Sequence, residues 1–356
     1  MNAGPASDDG IRAQRTGHAP ARARIEDVAT AAGVSMKTVS RVLNNEPGVR
    51  ESTRQRVREV VAALNYRPDP SARSLAGNRS YLVALLYDNP SPNYLMEVVT
   101  GVVDACEAHH YGMVMQPVAH QSPGCVETVD NLLSGSRLDG LILTPPLTDS
   151  EGLLDRLDER GIPFACISPY KREGRIGVTL DEHDAVCELV AHLVALGHTR
   201  IGHVRGHPDH GASEWRLAGY RTALRRAGLR YDPELVVPGE FSFDSGLEAG
   251  RRLLSLQPRP TAIFAANDDM AAGVMRAASE MGLRVPAQVS VCGFDNTPIA
   301  KHIFPQLTTV QQPTRDMAQV ATMQLLASIR DRGAGSMVHM PYALQLRDST
   351  GPAPAA

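Results

Sequence analysis

The chain lacks the features that mark several large protein classes. No run of 18 apolar residues occurs, so no transmembrane helix is expected. The first 24 residues hold no apolar stretch of the secretory kind, and Asp8 and Asp9 argue against an organellar transit peptide. Cysteine is sparse: Cys106, Cys125, Cys166, Cys187 and Cys292 are odd in number, scattered and never spaced as CxxC. That pattern speaks for buried free thiols in a reducing interior and against a disulfide framework or zinc knuckle. GxSxG, P-loop and GxGxxG motifs are all missing, which removes support for nucleophile-elbow hydrolysis and for nucleotide cradling. Glycine and proline, 30 and 25 of 356 residues, are too few for a collagen-like or low-complexity chain.

What remains is a globular composition, 43% hydrophobic and 21% charged, with enough apolar surface for a large core. At about 150 residues per domain the length predicts two to three domains. The net charge of −3 hides an asymmetry. Residues 1–80 carry 13 Lys/Arg against 8 Asp/Glu, a net of +5, and residues 81–356 carry 23 against 31, a net of −8. A small basic part joined to a large acidic one suggests an appended nucleic-acid module. Residues 1–23, rich in Ala, Gly, Pro, Arg and Ser without any period, are expected to be a disordered tail.

Residues 24–69 predict three short helices. Ile25, Val28, Ala29 and Ala32 recur at helical spacing until Gly33 stops the pattern. Ser35 is a natural N-cap for a second helix, 36–44, whose inner face is Val39, Val42 and Leu43. After Pro47-Gly48, Ser52 or Thr53 opens a third helix with Val57, Val60, Val61 and Leu64 as its stripe. Two helices joined by a three-residue turn containing Gly have helix-turn-helix geometry, and the second helix fits the major groove.

Residues 81–349 alternate short apolar runs with helical stretches. Candidate strands are 81–86, 113–115, 140–143, 163–167, 200–204, 262–265 and 289–292, with helical patterns such as 95–108 and 184–196 between them. Alternating βα units imply parallel sheets covered on both faces, and this length holds two such sheets. The fold class is therefore α/β, with two doubly wound lobes behind a helical headpiece. Ligands of open α/β sheets sit at the carboxyl ends of the strands, so two facing lobes would form a hinged cleft.

The run Ile25-Glu26-Asp27-Val28-Ala29, Ala32-Gly33-Val34-Ser35, Thr38-Val39-Ser40-Arg41-Val42-Leu43-Asn44 resembles the headpiece of the LacI/GalR family of bacterial transcription regulators. The likeness continues through Leu64-Asn65-Tyr66-Arg67-Pro68 and closes on Ala72-Arg73-Ser74-Leu75-Ala76, similar to that family's hinge helix within a 70–80 linker. In the core, Leu196-Gly197-His198, Arg216-Leu217-Ala218-Gly219-Tyr220, Ala266-Asn267-Asp268-Asp269-Met270-Ala271, Gly293-Phe294-Asp295 and Leu307-Thr308-Thr309-Val310 with Gln312 resemble its periplasmic-binding-protein-like sugar-binding part.

The resemblance implies roles position by position. Met36, Lys37 and Arg41 match base-reading positions; Arg41 suits guanine O6 and N7, and Met36 a thymine methyl. Thr38, Ser40, Asn44, Ser52, Thr53, Tyr66 and Arg73 would hold the DNA backbone. Leu75 matches a leucine that wedges into the minor groove at a central CG step. Arg216, Asn267 and Asp295 match effector-binding positions and suit a polyol. Phe241 matches an aromatic that stacks on a sugar ring, Ser168 stands where some members carry an acid for a sugar hydroxyl, and Gln312 follows in the same set. Tyr87, Asp88, Asn89 and Asn93 fall just after the first strand, at the expected cleft. By analogy the N-lobe comprises about 81–180 and 310–338, and the C-lobe 181–309 and 339–349, with crossings near Leu180, Thr309 and Val338; residues 350–356 are expected to be a disordered tail.

The function expected is that of a sequence-specific DNA-binding regulator, a repressor. It would grip a pseudo-palindromic operator as a homodimer in the bacterial cytoplasm, under control of a mono- or disaccharide effector. The C-terminal end has no leucine heptad, so a dimer is expected and not a tetramer. No cofactor and no membrane partner are expected. His198, His203, His207 and His210 invite a metal reading, yet Gly206 and Pro208 break any helix that would align them, so no metal is expected. A sugar-binding module without regulation, a co-repressor-type regulator with a non-sugar ligand, and an enzyme are the rival readings.

Overall fold

The structure is a computed structural model that describes residues 1, 23–43, 47–66, 79–331 and 335–355. Arg73, Leu75 and Asn44, and almost all of residues 1–23, lie outside the described residues. The chain divides into two units, Met1–Asn78 and Arg79–Ala356.

The first unit holds three helices, α1 (Ile25–Ala32), α2 (Met36–Leu43) and α3 (Glu51–Ala63). Their shared core is Val28, Ala29, Ala32, Val39, Val42 and Val57, all buried. Gly33 ends α1 in the left-handed region at φ 64°, a conformation that costs a residue without Cβ nothing. Ser35 caps α2 as its place in the sequence predicts, its Oγ accepting from the Thr38 N–H at 3.1 Å. Helix α3 departs from expectation. It starts at Glu51 with Arg50 as the cap residue, so Ser52 and Thr53 lie within the first turn and do not open the helix. Glu51 there faces the positive end of the helix dipole.

The second unit alternates strand and helix along the chain. It begins with β1 (Leu82–Tyr87), α4 (Pro92–Ala108), β2 (Gly112–Pro117), α5 (Cys125–Gly135), β3 (Gly140–Leu143), α6 (Glu151–Glu159), β4 (Phe164–Ile167) and β5 (Gly177–Thr179). It continues through α7 (Glu182–Ala195), β6 (Ile201–Val204), α8 (Gly211–Arg226), β7 (Val236–Val237), α9 (Phe243–Leu254), β8 (Ala262–Ala265), α10 (Asp268–Glu280), β9 (Ser290–Asp295) and α11 (Ile299–His302). It closes with β10 (Thr308–Gln311), α12 (Thr314–Arg330), β11 (Met337–His339) and β12 (Ala343–Gln345).

These strands build two six-stranded sheets, in the orders β11-β5-β4-β3-β1-β2 and β12-β10-β9-β8-β6-β7. Every pairing is parallel except β10 with β12. Helices cover both faces, which is why β1 reads LVALLY without alternation and buries Val83, Ala84, Leu85 and Leu86 completely. The architecture is the α/β one that the alternating pattern predicts.

Two crossings between lobes fall later than Thr309 and Val338. Strand β10 stays in the second sheet through Gln311, and β11 stays in the first through His339, because each completes its ladder before the chain leaves. The core also reaches further at both ends. Arg79 donates to the Ile329 carbonyl and Ser80 is held by the Asp139 carboxylate, so both belong to the core and not to the linker. At the other end, residues 350–353 are pinned and do not form a loose tail. Thr350 Oγ1 bonds to His192 and Thr308, and the Ala353 N–H donates to the Leu196 carbonyl.

His198 organises that end. One ring nitrogen meets Thr261 Oγ1 at 2.9 Å; the other meets Ser290 Oγ at 3.1 Å and the Gly351 carbonyl at 3.0 Å. Burial pushes its basicity down, so the ring serves as a neutral connector. His203, stacked between Tyr220 and Phe264, is a packing residue too. All five cysteines are unpaired and buried. No helix among the described residues is long and apolar enough to cross a membrane.

His198→Ala leaves buried hydroxyls and a carbonyl short of partners at about 2 kcal/mol. The thermal midpoint is expected to fall by about 4–8 °C; an unchanged midpoint would deny His198 this role.

Candidate functional site

Two surfaces answer to the residues singled out in the sequence. The first is the outer face of α2. At about 100° of rotation per residue, Lys37 and Arg41 point opposite Val39 and Val42, which the core takes. Met36, Lys37 and Arg41 are all exposed, and Met36 keeps half its surface. Thr38 and Ser40 flank them, half-buried; Ser52 is exposed and Thr53 half-buried at the start of α3, and Tyr66 packs against the headpiece core.

The second surface is the cleft between the lobes of the core. The carboxyl ends of the strands and the loops after them bring Ser168, Phe241, Asn267, Asp295 and Gln312 into one pocket, and the start of α8 adds Arg216. Tyr87, Asp88 and Asn93 do not line it. Asn89, Ser91 and Tyr94 reach it from the same stretch, because α4 starts at Pro92 behind a Ser91 cap and turns Tyr94 inward. Glu182 and His210 also line it. Neither carries a sequence signal for the pocket: Glu182 reads as an ordinary first-turn acid of α7, and His210 as one of the run of histidines for which no metal is expected.

Arg216 is the centre. Its side chain is 5% exposed, and Nε donates to Glu182 Oε2 at 2.8 Å. Nη1 donates to the Ala266 carbonyl, and Nη2 lies 3.5 Å from Gln312 Oε1 and 3.6 Å from Asp295 Oδ1. The guanidinium stacks 3.7 Å from the Phe294 ring centroid, a cation–π contact. The guanidinium hydrogen-bonds three acceptors, Glu182, the Ala266 carbonyl and Gln312, with Asp295 at ion-pair distance, so little of the positive charge is left unanswered.

The other groups have their own constraints. Burial pushes the Asp295 carboxyl well above the carboxylate range, and Arg216 opposes this. Asp295 and Asn296 hold φ of 109° and 56°, the strained kind of backbone that concentrates at functional sites. Asn267 caps α10, accepting from the Met270 N–H at 2.9 Å while donating to the Phe241 carbonyl at 2.9 Å. One N–H and one lone pair of its amide stay open to the pocket. Ser168, at φ 50°, buries an Oγ that has no hydrogen-bond partner. Burial drives His210 down to about 3, so its ring is neutral at physiological pH. Gly206 has no Cβ because the Phe241 ring occupies that place.

Comparison with known proteins bears on both surfaces. Residues 24–69 match the family described as bacterial regulatory proteins, lacI family, and residues 190–350 match the periplasmic binding protein-like domain. Catabolite control protein A of Priestia megaterium is 33% identical over 330 residues, 92% of this chain and 98% of that one. The chain belongs to the LacI family.

Among solved structures, the lac repressor dimer bound to operator and the anti-inducer ONPF superposes with a TM-score of 0.73 at 31% identity, covering 93% of this chain and 99% of that one. The transcriptional regulator CelR in complex with cellobiose gives 0.69 at 31% identity over 92% and 100%. As a LacI-family protein, the chain is a DNA-binding transcriptional regulator with an effector-binding core, and it is not an enzyme. A sugar-binding module without a DNA-binding part is thereby set aside.

Glu182 and Arg216 form a buried pair, and losing one partner strands the other. Glu182→Ala is expected to cost about 3 kcal/mol in urea unfolding followed by circular dichroism. A loss near zero would mean that Asp295 alone answers the guanidinium.

Proposed function

We propose that this regulator binds a pseudo-palindromic operator as a homodimer and is controlled by an uncharged sugar held in the cleft. The observation that carries the effector reading is the convergence of Arg216, Asp295, Asn267, Gln312 and Ser168 beside the Phe241 ring. Acceptors, donors and one unpartnered hydroxyl around an aromatic suit a polyhydroxyl ligand. An anionic ligand would enter against the Glu182 carboxylate, with the guanidinium of the pocket already engaged. The cellobiose held by a protein of the same fold at 31% identity supports a neutral saccharide.

On the DNA side, Met36, Lys37 and Arg41 read bases and Thr38, Ser40, Ser52, Thr53 and Tyr66 set register on the backbone. Asn44 and Arg73 join the backbone set, and Leu75 enters the minor groove. Support for base reading comes from the outward face of α2, whose opposite side the headpiece core consumes. The effector changes DNA affinity only by as much as it prefers one arrangement of the core over the other. The site of action is the cytoplasm.

Two variants test the two halves separately. Arg41→Ala is expected to relax specificity at one operator position by about 1–3 kcal/mol in a competition assay over single-base operator variants. A uniform loss over all sequences would reassign Arg41 to phosphate. Asp295→Ala is expected to bind operator as the wild type does and to lose its response to sugar, measured by anisotropy; a retained response would move the effector site elsewhere.

A further inference from the structure

The two lobes are also joined by polar bridges, one at the edge of the effector pocket through Ser91 and one outside it. At one rim Asp269, on α10, accepts from Ser91 and from Asn93 Nδ2, the latter at 2.8 Å. At the other, His120 and Gln121, in the loop after β2, reach across to Asp209 in the loop before α8. His120 Nε2 lies 2.8 Å and Gln121 Nε2 2.9 Å from Asp209 Oδ2. Asp88 holds His120 in place, one carboxylate oxygen taking the His120 N–H at 2.8 Å and meeting Nδ1 at 2.9 Å. On the far side His207 supports Asp209, its Nδ1 accepting from the Asp209 N–H while its Nε2 lies 3.3 Å from Glu240. These hydrogen bonds hold the Asp209 carboxyl below its ordinary range, so the bridge favours the charged acceptor.

We propose that His120 and Gln121, closing on Asp209, are a latch that sets the open–closed balance of the lobes and through it the apparent affinity for effector. None of the three lines the pocket. They are positioning residues: the effector's apparent dissociation constant is its intrinsic one divided by the closed fraction, so a weaker latch lowers affinity without touching the ligand. Asp88 pre-orients the histidine, which reduces the rotamer freedom lost on closing. The proposal rests on the cleft being the effector site only for that consequence; the latch itself is open to a test with no effector present.

The chain's one tryptophan supplies the readout. Trp215 sits on α8, half-buried, with the Tyr170 ring 5.1 Å and the Arg172 guanidinium 5.1 Å away, both from the other lobe. Opening the cleft strips those neighbours from the indole. The experiment is acrylamide quenching of full-length wild type, His120→Ala, Gln121→Ala, Asp209→Asn and the His120→Ala/Asp209→Asn pair. Thermal melts alongside confirm folding. His120 and Gln121 lie on the lobe opposite Trp215, so their loss acts on the indole through closure. The quenching constant is expected to rise about twofold or more in each single variant, with the pair no higher than Asp209→Asn alone. Quenching equal to wild type in His120→Ala and Asp209→Asn, or effects that add in the pair, would overturn the latch. Either result leaves the effector assignment to the Asp295 variant.

Discussion

A single guanidinium, buried where the strand ends of two lobes meet, is the constraint on which the core depends. Arg216 cannot stay charged out of water unless its surroundings answer it, and four separate elements do so. Glu182 comes from the start of α7, the Ala266 carbonyl from the end of β8, Asp295 from the end of β9 and Gln312 from just past β10. Those elements belong to the C-lobe or to the strands that cross out of it. One side chain thus fixes their relative positions and the electrostatics of the pocket together. With the cation paired to Glu182 and faced by Asp295, the pocket has hydrogen bonds to offer and little spare positive charge, which is the ground on which a neutral effector is proposed.

The same cleft is built to move. Interlobe contacts at the rims are polar and partly solvated, whereas one buried apolar cluster, with Leu85 and Ile142 from one sheet and Phe264 and Phe294 from the other, runs through both lobes. At Gly211 a Cβ would lie 2.5 Å from Tyr170 Cβ, so backbone and side chain of the two lobes meet at a spacing that only glycine allows. A change in the angle between the lobes would have to move that contact. In a LacI-family regulator such movement is what a ligand can bias, by binding one arrangement better than the other.

Much of this was readable in the chain, for physical reasons that differ by element. The headpiece follows from apolar spacing, a glycine stop and a serine cap, all local signals. The long buried strands stand out because helices on both faces demand continuous apolar runs. Arg216, Asn267 and Asp295 were found through sequence resemblance and converge in the pocket. Glu182, His210 and Tyr94 were not found, because a carboxylate or a ring gains its role there from burial alone. Strands β5, β7, β11 and β12, of two or three residues, are too short to show a period. The pinned C-terminal residues depend on His198, whose partners lie 63 to 153 positions away and leave no local trace.

The most direct measurement is fluorescence anisotropy of the full-length protein on labelled DNA from upstream of its own gene. It would be made at fixed salt, with uncharged mono- and disaccharides and their phosphates added in turn. The account predicts that an uncharged sugar changes the operator dissociation constant by about fivefold or more and that its phosphate does not. A response to the phosphorylated sugar alone, or to none of the panel, would contradict a neutral-sugar effector in the Arg216 cleft.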